Sequence, residues 1–327
     1  MAASLGPGIS WQRKQTGTLE ADFYMRLSSR KDSTFAFVVQ LLLNCYCHKS
    51  TITGRKRLQP DSTDTSFPAN LPGWLHWFDH CPSTNTWALA HLSQLEHGAV
   101  IFTRRQTAGR GQRGRTWQAP SGVLTFSMVL EKIPLEQLPG LSLVAGLAVI
   151  YAIEDLIPDV QGRLSIKWPN DILFEGRKLA GILCESVVNS AAAEGKVVVG
   201  IGLNRFVDFT QTLPEPQLIR TAISLHQMAI RVPDEFSLLQ QMRHYLLQTA
   251  GLLCQENSVQ DSSGLMKLLP SLRQRDALLG HSITVERSDE RISGEAVGFS
   301  DRGFLLLRLP DGTLRTFPSG HIAILDA

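Results

Sequence analysis

The segment Gly109-Arg110-Gly111-Gln112-Arg113-Gly114-Arg115 sets three guanidinium groups on a glycine-rich backbone. Planar donor forks of this kind grip anionic oxygens such as phosphate or carboxylate. Gln106 stands just before the run and Trp117 just after it, an amide able to read a polar ring and an indole able to stack on a base. A second group, Lys167-Trp168-Pro169-Asn170-Asp171, puts an amide and a carboxylate side by side at a proline-shaped turn. Such a pair can orient a Mg²⁺-bound phosphate or accept from a sugar hydroxyl. Arg177-Lys178-Leu179-Ala180-Gly181-Ile182-Leu183 then follows a lysine with small residues that admit a ligand close to the backbone. Gly200-Ile201-Gly202-Leu203-Asn204 repeats the theme, an apolar stretch with glycines ending in an amide. Each segment also has a plainer explanation: a solvated loop, a β-turn, or an indole filling a core.

The glycine-arginine run matches the GxGxxG spacing of dinucleotide-binding folds, but its context argues against that reading. That fingerprint must open a helix whose N-terminus holds a pyrophosphate. Here Pro120, Gly122 and a β-branched run follow, so no helix can start.

The elements that must position these groups read as follows. A strand over Trp74 to Phe78 leads to Ser83-Thr84-Asn85, which suits a helix N-cap before Trp87-Ala88-Leu89-Ala90. Ala99 to Thr103 and Val123 to Leu130 read as strands flanking the arginine run. Leu141 to Leu156 is apolar and alanine-rich, a buried helix stopped by Pro158. Strands over Leu164 to Trp168 and Ile172 to Phe174 surround Pro169, Glu175-Gly176 turns into Lys178 to Glu185, and Val197 to Gly202 adds a buried strand. Glu235 to Cys254 is an amphipathic helix. Beyond Ala277, short alternating segments (Ser282 to Arg287, Ile292 to Phe299, Phe304 to Leu309, Leu314 to Phe317, His321 to Leu325) are separated by Ser288-Asp289-Glu290, Asp301-Arg302-Gly303 and Asp311-Gly312. The expected fold is α+β: a mixed β-sheet covered by helices, followed by a small SH3-like β-barrel.

Length and composition set the class. The 327 residues are 43% hydrophobic and 19% charged, a globular chain with room for about two domains. A formal net charge of +2 is small for a protein that works by neutralising many phosphates, so bulk DNA binding loses weight. No run of 18 apolar residues is present, and no membrane partner is expected. The five cysteines, Cys45, Cys47, Cys81, Cys184 and Cys254, form no CxxC pair, which fits a reduced, cytoplasmic setting. Residues 1–70 differ from the rest, with nine basic against five acidic residues and fifteen Ser or Thr. They read as a loosely ordered, weakly basic extension with one apolar patch at Phe35 to Cys47 and no helix-turn-helix pattern. Domain bounds of 1–70, 71–276 and 277–327 follow.

Taken in order, Ser83-Thr84-Asn85, Gln106 with the GRGQRGR run and Trp117, KWPND, RKLAGIL and GIGLN resemble the biotin protein ligase family, in a form without an N-terminal helix-turn-helix domain. The resemblance covers about residues 74 to 327 and implies a class II synthetase-like core. It implies a carbon–nitrogen ligase that joins biotin and ATP into biotinyl-5′-AMP with release of pyrophosphate. Biotin then passes to a lysine of the biotin carboxyl carrier protein of acetyl-CoA carboxylase. By that resemblance Ser83, Thr84, Asn85, Gln106, Gly109, Arg110, Gly111, Gln112, Lys178 and Gly181 hold biotin. Arg113, Arg115, Trp117, Asn170, Asp171 and Asn204 serve ATP, with Asn170 and Asp171 toward Mg²⁺, and Lys178, Arg110, Arg113 and Arg115 carry catalysis. Neither step needs an enzyme nucleophile.

The family commonly reads GRGRRGR, whereas Gln112 here removes one phosphate-side charge. Two other readings stay open at this point: a lipoate or octanoate transferase on the same kind of core, and a non-catalytic biotin-responsive sensor. No sequence feature decides for or against a homodimer.

Overall fold

A computed structural model of the chain describes residues 71–191, 193–209, 221–254, 264–287 and 290–324. The expectations for residues 1–70 lie outside this range.

Strand β1 (Leu75–Cys81) runs into helix α1 (Thr84–Ala90), whose N-cap Ser83 accepts from the backbone N–H of Thr86. Strands β2 (Val100–Gln106), β3 (Val123–Pro134), β4 (Leu164–Lys167), β5 (Asp171–Phe174), β6 (Arg177–Asn189) and β7 (Glu194–Asn204) complete a seven-stranded sheet in the order β1-β2-β3-β7-β6-β5-β4. β1 pairs parallel with β2 and every other neighbouring pair is antiparallel, so the sheet is mixed as expected. β3 lies between β2 and β7, and its run Val123 to Leu130 is buried throughout. A strand covered on both faces gains nothing from alternation, which is why this segment reads as continuously apolar with only Thr125 and Ser127 polar.

Helix α2 (Leu141–Leu156) packs against β4, β5 and β6 on one side and helix α4 (Glu235–Leu253) on the other. Together with the preceding turns it is long and apolar enough to cross a membrane, but it is mostly buried within the chain, a core helix hydrophobic all round. It stops where the sequence reading stops it, one residue before Ile157-Pro158. α4 opens on Asp234, whose carboxylate accepts from Ser237 N at 2.8 Å. A one-turn helix α3 (Leu225–Met228) precedes it.

Helix α5 (Gly264–Gln274) is absent from the sequence reading. Leu265, Leu268, Leu269 and Leu272 are buried at helical spacing, but Pro270 interrupts the pattern and masks it.

The last five strands, β8 (Ser282–Glu286), β9 (Arg291–Phe299), β10 (Leu305–Arg308), β11 (Leu314–Phe317) and β12 (His321–Ile324), form an antiparallel sheet in the order β11-β10-β9-β8-β12. Gly303 and Gly312 take φ values of 76° and 85° at two of the expected turns, a conformation glycine adopts without strain. The core is Ile283, Val285, Ala296, Phe299, Leu305, Leu307 and Phe317, a small-barrel interior of the SH3-like kind.

This second sheet is seated closely on the segments flanking α2 and β4. A β-carbon at Gly303 would lie 2.6 Å from Gly140 Cα, and the indole N–H of Trp168, itself 2% exposed, donates to the Gly303 carbonyl at 3.2 Å. The turn carrying Lys167 to Asp171 is thereby clamped between the two sheets, and residues 320–322 are brought beside it.

Candidate active site

The floor of the site is the β6–β7 ladder, where Gly181 pairs with Gly202. A β-carbon at position 202 would sit 2.3 Å from Trp117 Cε2 and Cζ2, and one at position 181 would sit 3.0 Å from Trp117 Cζ3. The two glycines leave a flat bed on which the indole rests. Any side chain at 202 would expel it. Trp117 Nε1 is buried without a hydrogen-bond partner, and so is the hydroxyl of Thr125, which pairs with Gly202 from β3. Buried polar atoms of this kind are costly unless bonded, and these two leave one donor and one hydroxyl in the cleft floor for a polar group to meet. Lys178 Nζ lies 5.6 Å from the Trp117 ring centroid and 2.6 Å from Asp171 Oδ1.

One wall comes from the start of α1. Thr84 N donates to Gln106 Oε1 at 3.0 Å, which fixes the amide of Gln106 and leaves its Nε2 as donor. Ser127 Oγ lies 2.7 Å from Thr84 Oγ1 and 2.6 Å from Asn85 Oδ1. Asn85 Nδ2 donates to the Leu183 carbonyl at 3.1 Å and to Glu185 Oε2 at 2.9 Å. The space for Asn85 is made by Gly200, since a β-carbon there would lie 2.2 Å from Asn85 Oδ1.

The opposite wall is the arginine run, folded as a small hairpin. Gly111 N donates to the Arg115 carbonyl at 2.7 Å and Trp117 N to the Gly109 carbonyl at 3.0 Å, with a short 3₁₀ turn over Gln112–Gly114 at the tip. Arg113 (φ 58°) and Gly114 (φ 73°) make the reversal. Arg113 and Arg115 are exposed, while Arg110 ties the hairpin to the floor through an ion pair with Glu185 and to the α1 wall by donating to Thr86 Oγ1 at 3.1 Å.

The end of the cleft is the clamped turn. Asn170 Nδ2 donates to the Ile182 carbonyl at 2.8 Å, so only its Oδ1 is left to accept. Burial pushes the Lys167 ammonium below its ordinary range, the Lys178 charge acts in the same direction, and the Asp171 carboxylate opposes both. From the second sheet come Gly320, His321 and Ile322.

Of the residues singled out from the sequence, all but Gly109 and Asn204 line this single cleft. Gly109 is needed for close packing instead: a β-carbon there would lie 2.2 Å from the Trp117 carbonyl oxygen. Asn204 is a buried strut whose Nδ2 donates to the carbonyls of Lys178 and Ile223, tying the end of β7 to the start of β6. The sequence reading assigned no role to Ser127, Glu185, Lys167 or His321. Glu185 is the most informative of these, because its position two residues past RKLAGIL gives no hint that it faces both Asn85 and Arg110.

Arg110, Arg113, Arg115, Lys167 and Lys178 line the cleft against one carboxylate, Asp171, which makes it a trap for anions. Among the described residues no group of three His, Cys, Asp or Glu side chains is placed to hold a metal. A divalent cation here would have Asp171 as its protein carboxylate, with Asn170 Oδ1 beside it. That donor set suits Mg²⁺ carried mainly by phosphate oxygens rather than a protein cage.

Residues 77–204 match the biotin/lipoate A/B protein ligase family and residues 278–325 match the biotin protein ligase C-terminal domain. The bifunctional ligase/repressor BirA of Escherichia coli is 31% identical over 248 residues, covering 75% of this chain and 72% of that protein. The biotin–[acetyl-CoA-carboxylase] ligase of Mycobacterium tuberculosis is 31% identical over 268 residues, covering 78% and 93%. Among solved structures, the biotin protein ligase from Aquifex aeolicus in complex with biotin and ATP superposes with a TM-score of 0.61 at 26% identity, over 76% of this chain and 97% of that one. With both family models matched in order and relatives covered over most of their length, the chain belongs to the biotin protein ligase family of enzymes.

Proposed function

We propose that the protein condenses biotin with ATP to biotinyl-5′-AMP, releasing pyrophosphate, and passes the biotinyl group to a lysine of the biotin carboxyl carrier protein of acetyl-CoA carboxylase in the cytoplasm. The observation that carries this is the single cleft in which the arginine hairpin, the Trp117 bed, Lys178 and the Thr84–Gln106 wall converge.

In the first step a biotin carboxylate oxygen attacks the α-phosphorus and pyrophosphate leaves. Both reactants are anionic, so the barrier is one of repulsion and positioning. Lys178 sits where carboxylate and α-phosphate would meet, its ammonium already partnered by Asp171 and ready to exchange that carboxylate for substrate oxygens. Arg113 and Arg115 face the triphosphate from the exposed hairpin. The orphaned indole N–H and the Thr125 hydroxyl lie under the nucleotide. Gln106 Nε2 and the hydroxyls of Ser83 and Thr84 take the polar groups of biotin. Asp171 and Asn170 would hold Mg²⁺ arriving with the nucleotide, and the ion would supply charge neutralisation of the leaving pyrophosphate. Closure of the hairpin shields the mixed anhydride from water until the carrier amine arrives.

The test is biotin-dependent pyrophosphate release by the full chain with ATP and Mg²⁺, read together with the mass of a biotin carrier domain. Pyrophosphate release with a biotin-sized gain on one carrier lysine is expected. Release with lipoate in place of biotin would move the protein to the lipoate branch, and biotin binding with neither product would make it a sensor.

A further inference from the structure

We infer that His321, delivered to the cleft by the second sheet, is the general base for the acceptor lysine in the transfer step; the assignment rests on the ligase reading above. An acceptor amine with an ordinary lysine pKa near 10.4 is neutral in only about one molecule in 10³ at pH 7, so transfer needs a group to take a proton.

The cleft offers few acceptors. Arginine has no lone pair to give. Lys178 Nζ and Asp171 Oδ1 hold each other at 2.6 Å, and Lys167 is half-buried under the charge of that same Asp171, which favours its protonated form. His321 is the imidazole lining the cleft, and its side chain is 45% exposed, within reach of a side chain brought by another protein. Its Nδ1 lies 3.6 Å from Glu286 Oε2, the residue directly opposite it on β8, and Glu286 is held in turn by Arg291 Nη2 at 2.8 Å. That carboxylate is within ion-pair range but beyond hydrogen-bond distance of Nδ1, so Nε2 is the ring nitrogen that does not face it. The position is not a loose one: a β-carbon at Gly320 would lie 2.5 Å from Val285 Cγ1 and 3.5 Å from Trp168 Cζ3, so the entry to β12 is pressed onto the barrel core and the Lys167–Asp171 turn.

The step balances as follows. The acceptor ammonium gives one proton to His321 Nε2, which returns it to water at the mouth of the cleft. The freed lone pair attacks the carbonyl carbon of biotinyl-5′-AMP, a C–N bond forms, and the C–O bond to phosphate breaks with its electron pair leaving on AMP. The second proton on nitrogen is lost to water as the amide forms.

Single-turnover transfer from purified biotinyl-5′-AMP to a biotin carrier domain, measured against pH with the full chain, tests this beside biotin-dependent pyrophosphate release. In His321→Ala and His321→Gln, transfer is expected to fall about 10²-fold, far more than pyrophosphate release. Added imidazole should restore part of the transfer rate in the alanine variant and leave pyrophosphate release unchanged. Should neither variant fold, Glu286→Gln carries the test, because loss of the carboxylate beside His321 is expected to slow transfer more than pyrophosphate release. Unchanged transfer, or equal losses in both steps, overturns the assignment. Wild-type protein that transfers nothing from ready-made adenylate overturns the ligase reading itself.

Discussion

The β6–β7 floor and the arginine hairpin hold the same cleft but are built in opposite ways. The floor is a ladder paired without interruption from Ala180–Leu203 to Asn189–Glu194, and its shape comes from what is missing: Gly181, Gly200 and Gly202 let Trp117 and Asn85 lie against bare backbone. The hairpin at 109–117 has a few backbone hydrogen bonds, a tip with two residues at positive φ, exposed arginines, and one electrostatic tether to Glu185. Dense pairing makes the floor part of the last structure to open, while sparse contacts place the hairpin at the low-stability end. The difference assigns pre-organisation to the floor and access to the hairpin.

Lys178→Ala on the floor should have the largest effect. Pyrophosphate release is expected to fall about 10²–10³-fold, roughly 3–4 kcal/mol, with the thermal midpoint nearly unchanged. A retained rate would remove Lys178 from the chemistry. Gly200→Ala comes next, because the new methyl must displace a buried, three-times-bonded Asn85. Stability should drop about 1–3 kcal/mol in denaturant unfolding, with weaker biotin binding by calorimetry. Indifference at this position would show that the floor is as adaptable as the hairpin.

The hairpin should answer to ligand rather than to packing. Trypsin cleavage after Arg113 or Arg115 is expected to slow when biotin and ATP are added, and unchanged cleavage would break the contrast. Glu185→Gln releases Arg110 and should speed that cleavage a few-fold, as befits a half-exposed ion pair worth about 0.2–1 kcal/mol. Gln112→Arg is expected to be the mildest change, lengthening the stay of biotinyl-5′-AMP by a small factor in an adenylate-release assay. A shorter stay would mean that this position does not face the intermediate's phosphate.

Local signals carried far along this chain. The capping run at Ser83, the apolar stretch closed by Pro158, and the turns at Gly303 and Gly312 each obey a rule that acts within a few residues, and the structure keeps them; Ser288-Asp289 lies outside the described residues. Among the described residues two helices escaped: the single turn Leu225–Met228, too short to show a period, and Gly264–Gln274, whose proline breaks the local rule while tertiary burial of its leucines sustains the helix. The same locality explains the site. Motif by motif, the residue types announced anion binding, and the β-strand after the arginine run excluded a dinucleotide fold.

What spacing could not announce was contact across the chain. Glu185 meets Arg110 from 75 residues away and Asn85 from 100, because strand order sets β6 opposite the hairpin. Asn204, which the family resemblance assigns to ATP, spends its amide on two buried carbonyls, since a strand end inside the core must satisfy the backbone groups around it. His321 reaches the cleft only because two glycines let a second sheet press against Gly140 and Trp168. Sequence determined which elements form and which chemistry they can carry, for both depend on neighbours along the chain. Only the folded sheet decided which of those groups share one cleft, because register and the close approach of backbones are properties of distant segments packed together.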